Sequence, residues 1–190
     1  MTTLPSDTTV ISVNSAIDSA LREYLDPNVV IRFDLPDPAN LPSEPTISVF
    51  MYDLHEDLKI NSAEYRLYKE GKLIPSKRNI CCNYLITYWE SNQTSSSEGP
   101  DSGPMNQAML IINQAMNALI NNRVLKGLPG TFTRVMPPKE ELNSLGNFWQ
   151  SLGNKPRLAL NYMVTAPVSL TDHNLTLPKV EQVGATIVKQ

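Results

Sequence analysis

The sequence predicts an α+β fold: a single domain in which a mixed β-sheet is packed by about three α-helices. Three observations carry that expectation. Apolar residues recur at helical spacing in three separated stretches. Short runs rich in β-branched and aromatic residues lie between them. The order, α-β-β-β-α-α-β, sets long helices against a sheet rather than against one another. With 190 residues, 41% hydrophobic and 18% charged, the chain is large and apolar enough to bury a core.

The first helix is expected over Thr9–Tyr24. Asp7, Thr8 or Thr9 supplies the cap, and Val10, Val13, Ile17, Ala20, Leu21 and Tyr24 form its apolar stripe. Asp26-Pro27 ends it, and Val29–Phe33 reads as a short strand. After a proline-rich loop, Thr46–Leu54 reads as a strand with apolar residues on both faces. Strict alternation puts Ile47, Val49, Met51 and Asp53 on one of them. The segment 59–78 is a polar excursion with a hairpin around Glu70-Gly71-Lys72. Asn79–Glu90 is the clearest strand, and the Ser/Gly/Pro segment 91–103 is a loop.

A second helix is expected from Pro104 to Asn121, presenting Met105, Ala108, Met109, Ile112, Met116, Leu119 and Ile120 on one face. A short strand follows at Thr131–Val135. A third helix is expected over Lys139–Leu152, closed by Gly153, and the last strand over Arg157–Val168. Residues 1–172 make the domain in this reading, and 173–190 an extended arm.

Net charge is −3 and the isoelectric point about 5.4. No Lys/Arg cluster suited to phosphates is present, so nucleic acid is not an expected partner, and neither is an anionic membrane surface. The N-terminal residues lack the basic and apolar regions of a signal peptide, so synthesis without export is the expectation. The two cysteines, Cys81 and Cys82, are adjacent, and His55 and His173 lie far apart in sequence, which gives no zinc spacing. No nucleophile elbow accompanies His55. Gly127 and Gly130 lack the Lys-Ser/Thr of a phosphate loop. Asp53, His55, Glu56 and Asp57 form the densest polar group and read as a solvated strand end, with a divalent-cation site as the competing reading. The expectation is therefore a protein that is not an enzyme and holds no cofactor.

Trp89 and Trp149 are candidate interface anchors that serve equally as core residues. Trp149, in phase with Leu142, Leu145 and Leu152, reads as core.

Three stretches together resemble a known family. They are Pro45-Thr46-Ile47-Ser48-Val49-Phe50-Met51-Tyr52-Asp53-Leu54-His55-Glu56-Asp57, then Asn83-Tyr84-Leu85-Ile86-Thr87-Tyr88-Trp89, then Leu142 to Gly153 followed by Pro156 to Val168 with its Tyr162-Met163-Val164-Thr165-Ala166-Pro167-Val168 ending. They are similar to the N-terminal domain of cap proteins of extracellular contractile injection systems, of the antifeeding-prophage and Photorhabdus virulence cassette type. The resemblance covers about residues 8–172. Family members often carry a Leu-Arg-Asn-type run after the position of Asp57; this chain has Leu58-Lys59-Ile60-Asn61, with Lys59 as the basic residue.

The resemblance implies a phage tail-terminator architecture and a hexameric ring. That ring would sit on the last tube ring, contact the last sheath ring, and lie at the distal end of the particle. It implies no catalytic residues. The expected contact surfaces are Trp89, the basic residues Lys59, Arg66 and Arg78 of the polar excursion, and Leu175, Leu177, Val180, Val183 and Ile187 of the arm. The competing reading is an interaction module outside any particle.

Overall fold

A computed structural model of the chain describes residues 6–37, 39–57, 68–69, 72–73, 77–91, 103–136, 150 and 157–170. Helix α1 spans Thr9–Arg22 and helix α2 Gln107–Asn121. The strands are β1 (Val30–Arg32), β2 (Thr46–Glu56), β3 (Tyr68–Lys69), β4 (Lys72–Leu73), β5 (Lys77–Trp89), β6 (Phe132–Met136) and β7 (Ala159–Ser169). Five of them form one mixed sheet in the order β1-β2-β5-β7-β6, where only β1 and β2 run parallel. The expected hairpin is present as β3 and β4, paired across Lys69 and Lys72. Two helices are found among the described residues. The third, expected over Lys139–Leu152, falls outside them except for Gln150.

The middle strand is β5. All nine residues from Cys81 to Trp89 are buried, so neither of its faces meets solvent. Cys82, Tyr84, Ile86 and Tyr88 face the two helices. They meet Ile47 and Val49 of β2, Tyr162, Val164 and Ala166 of β7, and the apolar sides of α1 and α2. The tilted Tyr84–Tyr162 ring pair, with centroids 6.4 Å apart, sits at the centre of this layer. The hydroxyl of Tyr84 donates to Asn14 Oδ1 at 2.7 Å, which ties α1 to the sheet.

Helix α1 starts where Asp7 lets it. Thr8 occupies the cap position without a side-chain bond, and the Thr9 amide donates instead to Asp7 Oδ1 at 2.7 Å. The other Asp7 oxygen accepts from the Ser169 amide at 3.3 Å, so one carboxylate joins the helix start to the end of β7. These bonds, chiefly those from Thr9, hold the Asp7 carboxyl below the usual carboxylate range. The helix stops at Arg22, two residues before the expected end. Tyr24 is exposed, and Leu25 takes over the burial. Pro27 disfavours a helical residue before it, and the Asn28 amide turns back onto Asp26 Oδ1 at 2.8 Å.

Helix α2 begins three residues after Pro104. Asn106 is the cap: its side chain accepts from the Met109 amide at 2.9 Å. The buried side of α2 is Ile111, Ile112, Ala115, Ala118 and Leu119. The expected stripe was therefore rotated: Met105, Met109 and Ile120 are exposed, and Ala108 and Met116 are half-buried. Ala115 and Ala118 explain the choice, because their short side chains let the helix axis approach the sheet where methionines would hold it off. Beyond α2 the chain reverses through Gly127 and Gly130, both at positive φ. At Gly130 (φ 83°) an added Cβ would also lie 3.3 Å from Pro167 Cγ, so the turn sits directly against β7.

One irregularity in β2 re-aims the strand. The β2–β5 register shifts between Met51 and Asp53. Met51 opposes Tyr84 on the helix-facing layer. After the bulge at Tyr52, Leu54 opposes Cys82 on that layer, and Asp53 opposes Asn83 on the other. Strict alternation had placed Asp53 with Met51; the extra residue inverts that assignment.

Burial pushes the Cys82 thiol up to about 11, helped by neighbouring Cys81, and the Tyr88 and Tyr162 phenols up to about 12; Tyr84 is pushed further. Below about pH 8 folded and unfolded chains alike keep these protons, so the groups contribute no pH dependence. Above it the unfolded chain ionises first, at the Cys82 thiol and then at the phenols, and is favoured. Stability from urea unfolding is expected to be flat in these groups up to about pH 8. It should then fall toward pH 11, by up to ~1.4 kcal/mol per pH unit for each group titrating only in the unfolded chain.

Candidate assembly surface

The face of the sheet opposite the two helices carries most of the polar chemistry. Thr46, Ser48 and Asp53 of β2, Cys81, Asn83, Leu85, Thr87 and Trp89 of β5, and Asn161, Met163 and Thr165 of β7 lie there in register. Ser48 Oγ donates to the Asp34 carbonyl at 2.6 Å, and Cys81 Sγ lies 3.7 Å from Thr165 Oγ1. Asn83, 1% exposed, donates from Nδ2 to Asp53 Oδ2 at 2.8 Å, and His55 Nδ1 lies 2.9 Å from that same oxygen. Next along the strand, Glu56 pairs with Arg78 at 3.6 Å. Among the described residues no group of three or more His, Cys, Asp or Glu is placed to hold a metal ion. The arrangement fixes a strand end: a buried amide needs an acceptor, and the bulge supplies one.

At the other end of β5, Trp89 is 1% exposed. Its indole N–H donates to Thr87 Oγ1 at 2.9 Å. The guanidinium of Arg157 lies over its ring, 4.2 Å from the centroid, and donates to the Tyr88 carbonyl at 3.4 Å. Trp89 is thus a buried platform, and the half-buried Arg157 lies over it. A second such stack stands on edge strand β6, where Arg134 lies 4.9 Å over Phe132.

Surface apolar groups gather along the flank of α2 and beyond its end: Met105, Met109, Leu110, Ile120 and Val124 are all exposed, Met105 by 72%. A shallow open groove runs beside α1, lined by Ser12, Ser15, Ala16, Ser19 and the loop from Lys126 to Leu128. Lys126 is engaged there by Glu23.

Of the expected contact residues, Arg78 is exposed and paired with Glu56, and Trp89 is buried rather than presented. Lys59 and Arg66, like Leu175, Leu177, Val180, Val183 and Ile187, lie outside the described residues. Arg157 was not singled out from the sequence. Its one signal was antiparallel pairing, which brings the start of β7 against the end of β5. No described helix is long and apolar enough to cross a membrane.

A mixed sheet with both described helices packed on one face defines an α+β domain of tail-terminator architecture. The chain belongs to the family of Pvc16 N-terminal domains, whose model matches residues 12–180. Solved structures similar to it include two terminators. One is the sheath/tube terminator of the PVC extracellular contractile injection system in its extended state, 51% identical with a TM-score of 0.78, covering 98% of this chain and 65% of that one. The other is the tube-terminating cap of the anti-feeding prophage, 50% identical with a TM-score of 0.78, covering 95% of this chain and 62% of that one. The chain therefore spans just under two thirds of each. Comparison with curated proteins finds no match.

The Asp53–Asn83 bond gives a direct check. Asp53→Ala strands a buried amide and is expected to cost about 1–3 kcal/mol in denaturant unfolding, whereas exposed His55→Ala should stay within about 0.5 kcal/mol of wild type. Equal effects of the two changes would show that the buried amide does not depend on Asp53.

Proposed function

We propose that this chain caps the tube and sheath of a phage-tail-like contractile injection particle, as one subunit of a closed ring of six, and that it catalyses no reaction. The observation that carries this reading is the 51% identity to a sheath/tube terminator over 98% of the chain. At that similarity a shared core is expected.

The physical requirement is simple. Stacked identical rings share a heterologous interface that leaves one face free to add the next ring. Growth stops when the final ring matches its predecessor on one face and offers no match on the other. A terminator subunit so needs three surfaces: one that closes its own ring, one that fits the tube or sheath, and one that fits neither. Exposed Met105, Met109, Ile120 and Val124 are material for a matching surface. The polar excursion with Lys59, Arg66 and Arg78 is material for the others. Residues 173–190, with Leu175, Leu177, Val180, Val183 and Ile187, form in this reading an arm that adds to a sheet edge of a neighbouring subunit. The chain would be made in the cytoplasm and incorporated at the distal end of the particle.

The test is placement. An epitope tag on the full chain, imaged by immunogold labelling of purified particles, is expected to mark one end of each particle. The same tag on a chain lacking 175–190 is expected to be lost from particles. Label along the whole length, or none with the intact chain, would overturn the cap reading; end label that survives the truncation would overturn the role of the arm alone.

A further inference from the structure

We propose that Arg157, stacked on Trp89, is a preformed receptor for a carboxylate of the neighbouring copy of this chain in the ring; this rests on the ring reading above. Six arginines lie among the described residues, and their surroundings separate them. Arg22, Arg32 and Arg78 each meet a carboxylate, on Asp18, Asp34 and Glu56. Among the described residues Arg123 and Arg134 have none but are exposed, so water satisfies their donors. Arg157 is half-buried, with no carboxylate of a described residue in ion-pair reach; Glu90 acts on it only through space.

The geometry sets what Arg157 can bind. A guanidinium carries five N–H donors in a plane. One is committed to the Tyr88 carbonyl, at the long distance of 3.4 Å. The 4.2 Å stack on Trp89 fixes the plane, and Trp89 is itself held by its bond to Thr87 Oγ1. The donors left over form a fork whose orientation is already set, which matches a carboxylate in a two-bond arrangement and lowers the ordering cost of forming it. Partial burial pulls the Arg157 pKa down, as desolvation must; Glu90 and Tyr88 act the other way through space. The guanidinium stays charged, so a desolvated cation is left for a partner to neutralise.

The surroundings favour a protein partner. Leu158, next in sequence, is 48% exposed, so apolar surface lies close to the half-buried guanidinium. Arginine and tryptophan are both enriched at energetic centres of interfaces. The chain is itself a source of the complementary group, with 19 Asp and Glu against 16 Lys and Arg. Glu44 and Glu90, both exposed, stand near this end of the sheet in sequence and register.

The test compares the purified full chain with Arg157→Lys and Arg157→Gln by mass photometry over a dilution series, with thermal unfolding alongside. Arg157→Lys keeps the charge and the aliphatic stem but not the planar fork, so it guards against loss of fold. The wild type is expected to form rings. Both variants should melt close to the wild type yet need about tenfold or more higher concentration to assemble, as expected for an interface residue of this kind. High salt should weaken wild-type assembly more than that of Arg157→Gln. Variants that assemble like the wild type would overturn the assignment of Arg157 and leave the ring reading standing. A wild-type chain that never forms rings would overturn the ring reading itself, and this assignment with it.

Discussion

The structure depends on burying both faces of β5. A one-residue slip in register exchanges the two faces of a strand, so a strand whose two buried faces differ in chemistry has its register fixed. Here one layer is aromatic and aliphatic, with Cys82, Tyr84, Ile86 and Tyr88 under the helices. The other is mixed, with Asn83 and Thr87 among Cys81, Leu85 and Trp89. Slipping the strand would carry Asn83 into the helix-facing layer, away from the Asp53 carboxylate. The polar residues of the second layer thus specify the register that the apolar residues of the first stabilise.

From that strand the remaining parts follow in sequence. β2 and β7 pair on either side of β5 over nearly its whole length. Tyr84 reaches up to Asn14 and sets the position of α1, while Asp7 links the start of α1 to the end of β7. The alanines of α2 let that helix settle beside it, and the Gly127–Gly130 reversal returns the chain as β6 on the edge. Two organised polar groups lie along β5. One has Asn83 with Asp53 and His55 from β2, the other Trp89 and Thr87 with Arg157. In each, residues buried on β5 hold a more exposed neighbour, His55 or Arg157, in a fixed geometry.

The main strands and both described helices were readable because each carries a strong local signal. β5 was readable from its run of aromatic and β-branched residues, and α1 from Val13, Ile17 and Leu21. What alternation could not show was the bulge at Tyr52, because an extra residue leaves no mark in a sequence that is apolar on both faces; Asp53 was therefore assigned to the wrong side. The rotation of α2 was hidden for a related reason. Nearly every turn of that helix offers an apolar residue, and the choice among them was made by how closely Ala115 and Ala118 let it approach the sheet. Trp89 was legible as a residue of consequence, but its burial, and its cover by Arg157, arise only when the end of β5 meets the start of β7. The family resemblance rested on the same strands, which is why it survived these errors in facing.

The account makes the chain a stop signal for growth, and length is the quantity that signal controls. The most direct measurement is the length distribution of particles from cells in which the gene has been deleted, imaged by electron microscopy beside wild-type particles. The account predicts tubes or sheaths of uncontrolled length, restored to a narrow distribution by the intact gene. Particles of normal, uniform length without it would contradict the central claim.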